Sequence, residues 1–273
     1  AAGDLTQTAG TTSTTLEGAV TLSGNLAFTG QALTLNGVGN TVGGTMDVTN
    51  AGTFTTDDDA TLTVDGQFTQ DGTGSSTLGA DLTSTTAGIS FATNVTLDSS
   101  DLVTLQTGEG DGDDLSIGGT LSSTANESLS IDAGSAGDIN VTGATNLGTG
   151  NLTITDAAIV SFASTLAAGD LTQTAGTTST TLEGAVTLSG DLDFTGQDLT
   201  LNGASNTVGG MMDVTNAGTF TTDDDATLTV DGQFTQDGTG SSSLGGDLTS
   251  TAGIAFAKGI VLTGTDAVTL ATG

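Results

Sequence analysis

The chain repeats itself, and this restricts its fold more than any other feature. Residues 1–108 return as residues 167–273, at an offset of 166 that drops to 165 where one Thr is lost near Thr85–Thr86. Met46–Ser76 and Met212–Ser242 are the same 31 residues. Self-similarity of this kind marks stacked supersecondary units. The chain reads as one unit, 1–166, continuous with a truncated second, 167–273, and as a window on a longer polymer of that unit.

Within the unit the apolar residues alternate with polar ones. Leu26 and Phe28 flank Ala27, Leu33 and Leu35 flank Thr34, and Leu62 and Val64 flank Thr63. Leu129/Ile131, Ile139/Val141 and Leu152/Ile154 follow the same rule. Short alternating runs bounded by Gly, Asn and Asp predict half-buried strands. The absence of Pro permits uninterrupted hydrogen-bond ladders. The copies check the assignment: Asn25, Ala27 and Ala32 become Asp191, Asp193 and Asp198, while the interleaved Leu26, Phe28 and Leu33 stay apolar. Charge has entered only where a side chain is expected to face water, because an unpaired buried carboxylate is costly.

These features predict an all-β parallel β-helix, a β-solenoid. Dividing the 166-residue unit into seven rungs, beginning near Gly3, Asn25, Ala51, Thr73, Asp101, Ala125 and Asn151, gives about 24 residues per rung. Asp65-Gly66, Asp71-Gly72 and Asn36-Gly37 would provide left-handed backbone at the corners. The competing architecture is a string of antiparallel sandwiches, for which Thr61–Phe68 offers a hairpin signal. No linker divides the unit, which favours the solenoid. Disorder, the other fold compatible with so much charge, lacks a pattern of this kind.

Composition narrows the function. There are 32 acidic residues, one base (Lys258), no His and no Cys, for a net charge of -31. Nucleic acid is not expected as a partner, since phosphate contacts need Lys and Arg. Membrane insertion is not expected, because no run of about 18 apolar residues exists. Thiol and Ser-His-Asp chemistry lack their residues. Paired carboxylates could serve a polysaccharide-cleaving β-helix enzyme. The Asp residues are spread along the chain and recur with the repeat, so the chain is expected not to be an enzyme.

Three acidic groups are candidate Ca²⁺ ligands, as oxygen-rich loops suit that ion. They are Asp57-Asp58-Asp59, its copy Asp223-Asp224-Asp225, and Asp111, Asp113 and Asp114 within Glu109–Leu115. The last segment resembles one nonapeptide of the repeats-in-toxin Ca²⁺-binding rolls. Glu109 stands there in place of Gly, Leu115 comes one position early, and no tandem copies follow. A diffuse reading is broader: about 11 rungs at roughly 4.8 Å give a rod near 55 Å, with a charge about every 1.8 Å, close to duplex DNA. Thr-x-Thr pairs such as Thr6/Thr8 and Thr61/Thr63 could stack into Thr ladders, although ordinary strand propensity explains them.

Gly3-Asp4-Leu5-Thr6-Gln7-Thr8, Glu17-Gly18-Ala19-Val20-Thr21-Leu22 and Gly150-Asn151-Leu152-Thr153-Ile154-Thr155 resemble the Gly-x-Leu-Thr-x-Thr strand phrases of repetitive bacterial surface proteins of the filamentous-haemagglutinin and autotransporter-passenger type. That resemblance implies an extracellular, cell-surface location, a right-handed coil and a fibrous or adhesive role. The expected function is an acidic structural segment of a fibre or giant adhesin stalk that self-associates into fibres or bundles. The alternative is a Ca²⁺-dependent module binding surface glycan or itself. That reading requires Asp57–Asp59 and Asp223–Asp225 to share one edge of the rod.

Overall fold

A computed structural model describes residues 2–273. The chain winds into a parallel β-solenoid with three strands to each turn. Among the described residues, thirty-eight short strands divide among three sheets of 13, 13 and 12 strands. Sheet I begins with Leu5–Gln7, sheet II with Ser13–Leu16 and sheet III with Thr21–Leu22. Each strand pairs with the third strand before it and the third after it. Leu5 lies beside Leu26, Leu26 beside Met46, and Met46 beside Phe68, all in parallel register. The hairpin signal at Thr61–Phe68 is a corner instead: Leu62–Val64 belongs to sheet III and Phe68–Gln70 to sheet I.

Alternation places the core. In Leu62–Val64, as in most strands, the outer two residues point inward and the middle one outward. Leu26, Phe28 and Leu33 are buried, as are their copies Leu192, Phe194 and Leu199. The acids between the copies face out: Asp193 is exposed, and Asp191 and Asp198 are half-buried. Inside, Phe68 packs between Phe54 and Phe91 at ring separations of 5.4 and 5.1 Å. Phe234 repeats this between Phe220 and Phe256 at 5.6 and 5.2 Å. The interior also holds polar pairs. Gln70 Nε2 donates to Asn50 Oδ1 at 2.6 Å, and Asn50 Nδ2 donates to the Gly52 carbonyl. A buried amide held this way avoids the cost of an orphaned polar group.

The turn is shorter than the expected 24 residues. It averages about 21, ranging from 18 between Ser242 and Ile260 to 26 between Ile89 and Leu115. Strand length hardly varies, so the long turns owe their length to corners such as residues 107–114. The unit also fails to contain a whole number of turns. Leu26–Gly30 is the fourth strand and its copy Leu192–Gly196 the twenty-seventh. An advance of twenty-three strands, three to a turn, is seven turns and two thirds. Every copied strand therefore lands one face short of eight full turns: sheet I strands reappear in sheet III, sheet II strands in sheet I, and sheet III strands in sheet II. This is tolerated because all three faces ask for the same alternation and the same parallel ladder. At roughly 4.8 Å per layer, thirteen layers make a rod of about 60 Å, with one net charge per about 2 Å.

The corners also differ from expectation. Gly37, Gly66 and Gly72 are not left-handed; that backbone occurs at Asp59 (φ 67°), Asn126 (φ 71°) and Asp225 (φ 66°), and at glycines such as Gly112 (φ 88°). Gly72 is instead required by contact, since a Cβ there would sit on the carbonyl oxygen of Asn50 in the layer below.

Candidate cation-binding corners

The acidic triplet Asp57-Asp58-Asp59 closes the corner between sheets II and III. The Ala60 N–H donates to the Asp57 carbonyl at 3.0 Å, making a tight turn with Asp59 in left-handed conformation. Asp tolerates that conformation better than most residues. Ala60 then turns into the core. The Asp58 carboxylate reaches two layers along the rod, where it accepts from Ser100 Oγ at 2.7 Å and the Ser100 N–H at 3.1 Å. The Ser100 hydroxyl, then its N–H, hold the Asp58 carboxyl below its usual range, against a small opposing effect of burial.

The copy Asp223-Asp224-Asp225 builds the same turn at the corner between sheets I and II. Asp224 accepts from Thr265 Oγ1 at 2.7 Å and the Thr265 N–H at 2.9 Å, and these two donors lower its carboxyl in the same order. Asp111, Asp113 and Asp114 lie at the third corner, between sheets III and I. There Asp113 Oδ2 accepts the Gly110 N–H at 2.8 Å, and Asp114 Oδ1 accepts the Asp138 N–H at 2.9 Å. The three groups therefore stand on three different edges. The shared edge that a repeated binding strip requires is not present for the two triplets.

Two clefts gather acids that the sequence did not single out. One, of about 180 Å³, brings Asp81 and Asp101 beside Asp58 and Asp59. Its counterpart, of about 240 Å³, joins Asp224 and Asp225 with Asp247 and Asp266. Both are oxygen-rich. Among the described residues, however, no three acidic side chains converge closely enough to hold a metal ion. A larger open groove of about 480 Å³ runs beside Asn50 and Asp71. Its one lining carboxylate, Asp71, accepts from Thr49 Oγ1 at 2.7 Å.

Many acids have a structural task that sequence reasoning missed. A carboxylate immediately before a strand accepts the backbone N–H one layer on. Asp4 takes that of Asn25, Asp81 that of Thr104, Asp170 that of Asp191, and Asp191 that of Met211, at 2.7–2.9 Å. Asn151 extends the run by accepting from Asp170 at 2.9 Å. Asp or Asn followed by Leu was the available signal.

Burial first, and neighbouring acids second, raise some carboxyls. Burial, then Asp191 and Asp170, push the Asp193 carboxyl up. Burial, then Asp237 and Asp193, do the same to Asp213. Burial, then Asp114, raise Asp138, while the Ile159 N–H partly offsets them. At Glu127 burial acts upward, but the Ala125 N–H and the Thr124 hydroxyl outweigh it and leave the carboxyl lowered.

Comparison with protein-family models, with curated proteins and with solved structures found no match to this chain.

Proposed function

We propose that the chain is an acidic structural segment, a spacer in an extracellular bacterial fibre or adhesin stalk, wound as a right-handed coil. The observation that carries this reading is the advance of seven turns and two thirds per unit. A unit whose copies face different ways adds length and stiffness, yet never repeats a patch on the same side in successive copies. That suits a rod extended by duplication and suits neither a binding strip nor a single active site. The three acidic groups on three edges give charge all round, which keeps faces and edges of neighbouring rods from aggregating.

Counterions complete the proposal. A net charge about every 2 Å approaches the density of duplex DNA, roughly one per 1.7 Å. Divalent cations, Ca²⁺ first among them, collect along the acidic corners and bridge neighbouring rods. Light scattering against Ca²⁺, with Na⁺ matched in ionic strength, tests this. Scattering that rises with Ca²⁺ alone supports bridging, and superimposable curves remove it.

A further inference from the structure

Acids are spread unevenly around the rod. Of the 19 acidic residues in 1–166, eight stand at the edge between sheets II and III and eight at the edge between sheets III and I. Asp47 and Asp132 lie within strands, and the edge between sheets I and II holds Asp71 alone. That edge carries the open groove of about 480 Å³. The groove crosses four layers. Thr8 and Thr11 flank Ala9-Gly10 in the first, and the next three are built alike as Thr29-Gly30-Gln31, Thr49-Asn50-Ala51 and Asp71-Gly72-Thr73. In each of these the outer two residues are exposed, while Asn50 and Gly72 are buried and Gly30 half-buried.

The floor is fixed before anything binds. A Cβ on Gly30 would meet the Phe28 ring at 2.8 Å, and one on Gly72 would sit on the Asn50 carbonyl. Gln70 Nε2 donates to the Gly74 carbonyl at 3.0 Å as well as to Asn50. The walls are hydroxyls, methyls and one amide, with Thr8, Thr29 and Thr49 on the sheet I side and Thr11, Gln31 and Thr73 on the sheet II side. The second copy holds the same lining residues at the edge between sheets III and I, between Thr174 and Thr239. Its surroundings differ. Ala27, two residues before Thr29, becomes Asp193, and Ala32, next to Gln31, becomes Asp198. Thr174 Oγ1 and Thr177 Oγ1 already donate to the Thr155 and Ser135 carbonyls at 2.7 and 3.0 Å.

We propose that the groove of the first copy binds an uncharged linear oligosaccharide laid along the rod. Charge and lining together select that chemistry. The net charge of -31 repels anions. Cations are drawn to the two edges that carry eight acids each, whereas here Asp71 is engaged by Thr49 Oγ1 and the other nearby acid, Asp47, lies two residues before Thr49 on the outer face of sheet I. An apolar ligand finds no aromatic or large aliphatic side chain in the lining. An uncharged chain rich in hydroxyls fits what is there. Its hydroxyls donate to or accept from the Thr hydroxyls and the Gln31 amide, and its C–H faces lie on the Thr methyls and on Gly30. Thr8, Thr29 and Thr49 recur at the layer spacing of roughly 4.8 Å, so successive sugars meet the same group. The volume falls within the roughly 300–1,000 Å³ of small-ligand sites. Asp193, Asp198 and the engaged hydroxyls disfavour the second copy, which sets one ligand per chain. The site needs no divalent ion and does not depend on the chain being a stalk.

Titration of the 273-residue chain in EDTA with neutral linear oligosaccharides of glucose, mannose, galactose and N-acetylglucosamine, read by calorimetry and NMR, tests the proposal. The expected result is binding of at least one of the four, one per chain and insensitive to added NaCl, with no binding of a sulfated oligosaccharide. Ala51→Trp fills the groove and abolishes binding, and Thr29→Val weakens it about three- to tenfold. Ala217→Trp and Thr195→Val in the second copy leave it unchanged, with circular dichroism confirming that all four variants fold. No binding by any of the neutral oligosaccharides overturns the proposal, as does an equal loss from the substitutions in the two copies, or tighter binding of the sulfated chain. Ca²⁺ is absent throughout, so the result stands apart from cation bridging.

Discussion

Ala32 and Asp198 hold the same place in the repeat and different places on the rod. The first is on sheet II, and the second is on sheet I. The interior neighbours, Leu33 and Leu199, are both 1% exposed. The inward half of the sequence is thus indifferent to which face it occupies, while the outward half has taken on charge at Ala27 and Ala32, which become Asp193 and Asp198. A second contrast lies inside. Thr93 Oγ1 donates to the Gly74 carbonyl and lies 3.3 Å from Gln70 Oε1, which shares its one proton. Its copy, Gln236 Oε1, has no partner, and Lys258 stands in the place of Thr93. The substitution removes the hydroxyl that approaches this buried acceptor from a layer away.

If the faces are equivalent inside, core truncations should cost alike in both copies. Phe68 in sheet I and Phe234 in sheet III are each fully buried between two rings. Phe68→Ala and Phe234→Ala should each destabilise by about 3–5 kcal/mol in denaturant titrations. A cost near zero at either one breaks the equivalence. The orphaned acceptor gives a smaller effect in the opposite direction. Lys258→Thr restores a hydroxyl donor to Gln236 and should stabilise by about 0.5–1.5 kcal/mol, with Thr93→Ala losing a similar amount. A Lys258→Thr variant no more stable than the parent contradicts that reading.

The outward difference is tested by charge. Asp193 and Asp213 are neighbours in adjacent strands, where the first copy has Ala27 beside Asp47. Asp193→Asn should stabilise by about 0.2–1 kcal/mol at neutral pH, while Ala27→Asp should destabilise by a comparable amount. The sign with pH follows from the raised carboxyls of Asp193 and Asp213. The fold binds these protons more tightly than the unfolded chain does. Their contribution to stability is therefore complete below the ordinary carboxylate pKa and is lost as pH rises through the raised value. The advantage of Asp193→Asn should shrink on acidification, and a constant advantage contradicts the assignment. Asp58 and Asp224 are lowered, so their contribution is present above the ordinary value and disappears as pH falls through the lowered one. Asp58 is exposed and Asp224 half-buried at the surface, so Asp58→Asn and Asp224→Asn should produce the smallest changes, seen as slightly reduced acid sensitivity.

Which parts of this were legible beforehand follows from what determines them. Alternation at Leu26-Ala27-Phe28 sets inside and outside, because burial of an apolar face is local to the strand. Parallel stacking followed from the repeat and the lack of any linker. The turn length was misjudged because corners such as 107–114 vary while strands do not, and because a whole number of turns per unit was assumed. Nothing in the physics imposes a whole number when each face accepts the same strand. The position of Asp57–Asp59 relative to Asp223–Asp225 depends on that fraction of a turn, so it could not be read from the triplets themselves. The N–H acceptors Asp4, Asp81 and Asp170 were visible as Asp-Leu pairs, but charge drew attention to their repulsion and away from their lone pairs.

Cross-linking at the junction between the copies tests the rotation most directly, because the chain has no Cys of its own. Thr6 belongs to sheet I, yet its copy Thr172 lies beside Thr153 in sheet III. Cysteines at 153 and 172 should join readily by a disulfide or a short thiol cross-linker, and cysteines at 140 and 172 should not. Cross-linking of Asn140→Cys to Thr172→Cys, with none at the first pair, would place the second copy on the same face as the first and contradict the account.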